Sequence, residues 1–289
     1  MEPIEVRRVL IPYSPRLVFK DFHERKQRWS VLVCHRRAGK TTTLIADMLK
    51  RALQGSPKGQ YAYIAPYYNQ AKSIAWDYAK YYCQNIPNIK INESELRIDF
   101  PNGARLRLFG ADNYDAMRGL YFDSVVLDEP ADFPMNAWQT VIGPALTDRK
   151  GSATFIGTPK GKNEFWETYH LAKDDDSWYC AMHKASETGY VDDEELAESL
   201  KIMGEDRYEQ EFECSFEAAI SGAYYGHEMK QATKDGRITE VRLDKTIGVV
   251  TAWDLGVGDS TAIWFAQFMP NGDVHLIDYY ESSGVGLDH

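Results

Sequence analysis

Residues 34–41 read Cys34-His35-Arg36-Arg37-Ala38-Gly39-Lys40-Thr41, and their flanks decide what they mean. Ser30–Cys34 is a short apolar run of buried-strand type. From about Lys40 to Leu53, apolar residues recur at helical spacing. A strand, a Gly-Lys-Thr loop and a helix in that order form the context of a phosphate-binding loop. Backbone N–H groups at such a helix start point at phosphate oxygens, helped by the helix dipole. Lys40 would reach the β- and γ-phosphates, and Thr41 would offer its hydroxyl to Mg²⁺. Arg37, Gly39 and Thr42 fall in the same turn and join the nucleotide-binding candidates. Cys34 stands where the usual pattern has its first glycine, so a strict pattern search misses this loop. The plain alternative is an ordinary Gly-Lys helix start on a basic surface.

A second element makes that alternative harder to hold. Val125-Val126-Leu127-Asp128-Glu129 is an apolar strand ending in two acids. Asp128 would hold Mg²⁺, and Glu129 would polarise an attacking water as general base. Thr154–Pro159 is a further strand ending in small polar residues, and Thr158 could sense the γ-phosphate there. Outward from these motifs, Tyr61–Ala65 reads as a strand and Tyr67–Cys83 as a helix. Glu95–Phe100 and Ala104–Phe109 alternate around Pro101-Asn102-Gly103 as a hairpin. Strands separated by helices predict an α/β fold with a mostly parallel sheet. Residues 1–175 are expected to form this domain. Residues 176–243 are acidic, with helical patterns over Asp192–Met203 and Glu205–Cys214, and read as a linker or small helical subdomain. Residues 244–289 carry three successive strand patterns, Ile247–Asp254, Thr261–Phe268 and Val274–Tyr280, with Asn271-Gly272 as a turn. Three strands with nothing after them to cover them read as an incomplete second domain.

Composition narrows the classes. The 289 residues are 44% hydrophobic and 26% charged, which suits folded domains rather than wholesale disorder. A net charge of −10 excludes a generally basic nucleic-acid coat but leaves room for a local basic groove. Cys34, Cys83, Cys180 and Cys214 form no C-x-x-C pair, so zinc ribbons and thioredoxin-type motifs find no support. The first residues lack a signal peptide's apolar core, and no uncharged apolar run reaches the ~18 residues of a membrane span. No Asn-Lys-x-Asp motif is present to read guanine. The aromatic clusters around Tyr61–Tyr68 and Trp76–Tyr82 read as core and helix packing rather than base-stacking platforms.

In order and spacing, Arg36-x-x-Gly39-Lys40-Thr41, Arg118-Gly119 before Val125–Glu129, Gly157-Thr158-Pro159 and Trp253-Asp254-Leu255-Gly256 resemble the large terminase subunit of tailed bacteriophages. The resemblance covers almost the whole chain. It implies a P-loop ATPase domain of the additional-strand, conserved-glutamate type, followed by an RNase H-like nuclease domain. It implies ATP and Mg²⁺ as cofactors, and Mg²⁺ or Mn²⁺ for the nuclease. Arg36 takes the Walker A arginine position near the γ-phosphate. Arg118, eleven residues before Glu129, matches an arginine finger acting on a neighbouring subunit's nucleotide, with Arg149 as second candidate. Phe22 and His23 lie where the family contacts adenine, although Gln27 is offset from the usual glutamine. Asp254 becomes the first nuclease carboxylate and Asp259 a possible auxiliary. The remaining acids fall beyond His289, so this stretch is expected to lack nuclease activity. The implied partners are double-stranded DNA, the small terminase subunit, the portal protein and further copies in a ring, with five subunits the expected number. The implied setting is the host cytoplasm, docked on a procapsid, with no membrane. Lys160, Lys162 and Lys184 are pore-lining candidates, each with a solvated-surface alternative. Two other readings stay open: a helicase-like ATPase, suggested by Ser152-Ala153-Thr154, and a nucleotide-binding scaffold without turnover, suggested by Cys34.

Overall fold

The computed structural model describes residues 9–134, 136–217, 225–256 and 260–283. The chain divides into two compact units, residues 1–224 and 225–289. Among the described residues, the first unit is built on an eight-stranded sheet: β1 (Trp29–Cys34), β2 (Gln60–Ala65), β3 (Lys90–Asn92), β4 (Arg97–Asp99), β5 (Arg105–Gly110), β6 (Ser124–Asp128), β7 (Ser152–Gly157) and β8 (Trp178–His183). Their order across the sheet is β3-β4-β5-β2-β6-β7-β1-β8. From β5 to β8 every neighbouring pair is parallel, whereas β3, β4 and β5 pair antiparallel. The expected hairpin is therefore the β4–β5 pair.

Period-two alternation sorts the strands' side chains between two cores. Leu32, Cys34, Tyr61, Tyr63, Val126 and Ile156 pack on one face beneath the Lys40–Gln54 helix, with Leu44, Ile45, Met48 and Leu49. Val31, Val33, Ala62, Ile64, Val125, Leu127 and Phe155 pack on the other with Phe165, Val141 and Ile142. Each fully buried Leu, Ile or Phe contributes about 1.5–3 kcal/mol. The central strands are buried on both faces, which is why they read as continuous apolar runs. The expected Tyr67–Cys83 helix is present in three parts, Tyr68–Gln70, a π-turn at Ala71–Ala75, and Trp76–Cys83. Tyr61, Tyr63, Trp76 and Tyr82 are core residues, but Tyr67, Tyr78 and Tyr81 are exposed.

The sheet also runs past residue 175. β8 pairs in parallel with β1 over Trp29–Cys34, so Trp178–His183 belongs to this sheet and not to a linker. Every residue of β8 is half-buried. The strand lacks the apolar–polar alternation that a sequence reading depends on, and it follows the acidic run Asp174–Asp176. The helices Asp193–Met203 and Glu205–Glu211 lie in the same compact unit, with Leu196 and Phe212 packed on Ala185. The boundary expected at residue 243 falls inside the later unit, which begins at residue 225.

That second unit contains a three-stranded antiparallel sheet, β9 (Val250–Asp254), β10 (Ser260–Phe268) and β11 (Val274–Ser283), in the order β11-β10-β9. Gly272 takes φ +90° in the turn between β10 and β11, where asparagine-glycine was expected. Gln267 is fully buried and donates to the carbonyls of Asp244 and Ile247, pinning the approach to β9.

Candidate active site

Strand β7 lies between β1 and β6. The phosphate-loop strand and the acidic strand are thus separated by one added strand, and all three end on the same side because they run parallel. That placement gathers Lys40, Asp128, Glu129 and Thr158 at one sheet edge. The loop itself turns through left-handed conformations at Arg37 (φ +70°) and Gly39 (φ +94°). Cys34 has no such φ, ends β1 and buries its side chain in the core, so this position does not require glycine. Thr42 Oγ1 donates to the Gly39 carbonyl at 2.9 Å and closes the first helical turn.

Lys40 Nζ stands 3.1 Å from Glu129 Oε1 and donates to the carbonyls of Cys34 and His35 at 3.5 and 3.4 Å. Burial works against the charge on Lys40, but the surrounding Glu129, Cys34 and Asp128 side chains together outweigh it and raise its pKa. Glu129 is held in turn by Thr158, whose backbone N–H donates to Oε2 at 2.8 Å and whose hydroxyl reaches both oxygens at 3.0 and 3.2 Å. Glu129 has φ +54°, an uncommon value for a non-glycine residue, and its N–H is tied to the Ile156 carbonyl at 2.8 Å. Thr41 Oγ1 donates to Asp128 Oδ2 at 3.4 Å, and Tyr63 donates its hydroxyl to the same oxygen. Asp128 Oδ1 is buried without a hydrogen-bond partner among the described residues. Burial, and then the charge of Glu129, push the Asp128 carboxyl up from its usual range. A hydroxyl and an unpartnered carboxylate oxygen are the hard donors that Mg²⁺ takes, so this chemistry fits the ion.

The remaining candidates scatter. Arg36 is exposed beside the loop, 3.7 Å from Glu211 Oε2, and its backbone N–H donates to the Glu211 carbonyl at 2.8 Å. Arg118 is exposed and bonded to Asp115 at 2.8 Å, just before Gly119 (φ +82°). Arg149 is also exposed, with its guanidinium 4.4 Å from the centre of the Tyr121 ring. Lys160, Lys162 and Lys184 each face a carboxylate, those of Asp132, Glu217 and Glu187.

The expected adenine contact by Phe22 is corrected. Its ring is fully buried, with the Arg25 guanidinium 3.6 Å from the ring centre, so no base can touch it without opening the core. His23 sits against Tyr13 and Asp47. Asp47 is seven residues along the helix from Lys40, or about 10 Å at 1.5 Å per residue. Asp254 is exposed at the end of β9, and Asp259 lies outside the described residues.

Three residues near the loop escaped the sequence reading. Tyr63 looked like any core aromatic. His35 is fully buried and binds Thr188 Oγ1 at 2.9 Å and the Arg36 carbonyl at 2.6 Å. Arg16 donates to the Arg37 carbonyl at 2.7 Å and lies over the Tyr190 ring at 4.5 Å. Arg16 precedes Arg37 by 21 residues, and no local pattern ties the two together.

Comparison with known proteins identifies the family. The family described as terminase large subunit, T4likevirus-type, N-terminal, matches residues 33–231. The chain is 22% identical over 291 aligned residues to the large terminase subunit of Escherichia phage T5, covering 97% of this chain and 66% of that protein. It therefore spans just under two thirds of that relative's length. The large terminase ATPase domain of Thermus phage P74-26 superposes with a TM-score of 0.63 at 22% identity, covering 71% of this chain and 95% of that one. The large terminase of a thermophilic bacteriophage, solved in complex with ADP, superposes with a TM-score of 0.55 at 14% identity, covering 89% of this chain and 64% of that one. A phosphate loop and an acidic strand flanking one added strand, with a family match over more than half its length, make this chain a member of the terminase large subunit family.

Proposed function

We propose that this chain carries the ATPase of a DNA-packaging motor. The observation that supports it most is the convergence of Lys40, Thr41, Asp128, Glu129 and Thr158 at the ends of β1, β6 and β7. ATP is the nucleotide that the relative solved with ADP suggests for this site. With a triphosphate bound, Lys40 moves from Glu129 to the phosphate oxygens and releases the carboxylate. Glu129, still held by Thr158, then accepts a proton from the attacking water. Thr41 and Asp128 would hold a magnesium ion, which neutralises charge developing on the phosphates when bound. Thr158 touches the catalytic base directly, so a change at the γ-phosphate reaches β7 through one side chain.

Arg118 is proposed to complete the site of a neighbouring copy. It is bonded to the exposed Asp115, and a guanidinium so placed can exchange one carboxylate for another molecule's phosphate. Duplex DNA, the small subunit, the portal protein, a five-membered ring on a procapsid in the host cytoplasm, and a nuclease using Asp254 belong to the same reading of the whole protein. The test is steady-state ATP hydrolysis against protein concentration, with Glu129→Gln as control. Turnover per chain that rises with concentration and vanishes in the variant supports an assembling motor. Tight ATP binding with no hydrolysis at any concentration would favour a scaffold instead.

A further inference from the structure

Tyr63 is a core side chain that reaches into the metal-facing pair. It sits on β2 opposite Val126 of β6, is 1% exposed, and packs in the same apolar cluster as Val126, Ile156 and Leu44. A phenylalanine would fill that volume equally well. A buried phenol without a partner is unfavourable, so its hydroxyl needs one, and the partner is Asp128 Oδ2. Thr41 donates to that same oxygen, while Oδ1 is buried and has no partner among the described residues. Two donors on one oxygen stop the carboxylate from rotating about its terminal bond and leave the other oxygen as the acceptor for whatever enters the site.

We propose that Tyr63 is a positioning residue that orients Asp128 toward the magnesium–nucleotide unit. The proposal rests on the ATPase reading above. Tyr63 touches neither phosphate nor metal in it; its hydroxyl bonds Asp128 and lies against Thr41, so it acts through those two side chains. Removing its hydroxyl therefore weakens the magnesium-dependent part of nucleotide binding and leaves the metal-free part intact. Metal-free binding depends on the loop N–H groups and Lys40, whereas the Tyr63 hydroxyl donates to Asp128.

The experiment is equilibrium binding of a fluorescent ADP to the 289-residue chain, in EDTA and across a Mg²⁺ titration. Tyr63→Phe is expected to raise the Mg²⁺ concentration for half-maximal tightening by about ten-fold, the scale of one hydrogen bond to a charged group. Its affinity in EDTA should match the wild type, which also reports that the variant is folded. Asp128→Asn should lose most of the Mg²⁺ dependence, and Tyr63→Phe added to it should shift it far less than in the wild type. A Tyr63→Phe variant indistinguishable from wild type overturns the proposal. So does one that loses binding equally with and without Mg²⁺, because that marks a role in packing alone. A wild-type chain that binds no nucleotide under either condition would remove the ATPase reading itself, a separate outcome from a failure confined to Tyr63.

Discussion

Asp47, within the Lys40–Gln54 helix, and Glu129, beside its start, are two acids with different work. Asp47 is buried between Arg25, Arg51 and His23, with bonds of 2.8 Å to each arginine. Burial opposes its charge, but the hydrogen bonds from His23 and Arg25 and the charges of both arginines hold its carboxyl well below the usual range. Arg25 also ties Ser30 and Thr154 to this centre, so one guanidinium links β1, β7 and the helix. Asp47→Ala should cost about 3–5 kcal/mol in urea unfolding, because Arg25 is left buried and unpaired. The lowered folded pKa makes the wild-type stabilisation complete above the unfolded value of ~3.9 and lost as pH falls below it. Unfolding free energy measured from pH 6 downward should therefore drop more steeply in wild type than in Asp47→Asn. Glu129→Gln keeps the size of the side chain but cannot take a proton. Hydrolysis should fall by about 10²–10⁴-fold with ATP binding retained, read by single-turnover kinetics beside equilibrium binding. At this scale the sequence put Glu129 at the tip of its strand, one residue beyond where the structure ends β6, and misjudged Phe22. Phe19-Lys20-Asp21-Phe22-His23 holds two aromatics on one short helical stretch, and only packing shows that both face inward.

The end of β7 is the element that sets the position of Glu129. A Cβ at Gly157 would stand 3.0 Å from Glu129 Oε2 and 3.2 Å from Glu129 Cα. Gly157→Ala should push Glu129 away from Thr158 without touching the phosphate loop. Displacing a catalytic group by ~1 Å is enough for a loss on the order of 10²-fold, so kcat should fall sharply while ATP affinity holds. Thermal unfolding of the same variant should show a loss of about 1–3 kcal/mol from overpacking. Backbone geometry also governs the loop between β1 and its helix. The missing first glycine looked like a defect, yet left-handed backbone is needed at Arg37 and Gly39 and not at Cys34. Strands β1, β2, β6 and β7 were legible because burial on both faces demands continuous apolar residues. β8 was not, because its six residues are only half covered and follow a run of aspartates.

For the molecule as a whole, one chain gathers Lys40, Thr41, Asp128 and Glu129 at a single edge, while Arg118 and Arg149 lie exposed. Mixing Lys40→Ala chains with Arg118→Ala chains should restore hydrolysis that neither shows alone, if Arg118 serves a neighbour. Absence of rescue at concentrations where chains associate, checked by sedimentation, would count against it. The class of the chain was already written in its local order: strand, Gly-Lys-Thr, helix, then an apolar strand ending in Asp128-Glu129. Such features depend on residues a few positions apart, where spacing and side-chain type carry nearly all the physics. The pairing of Lys40 with Glu129, the grip of Thr158 and Tyr63 on the two acids, and the docking of β8 on β1 join residues at least 29 positions apart. Those contacts come from how the sheet orders its strands. No local pattern encodes that order, because it is settled by the shared burial of both faces of the sheet.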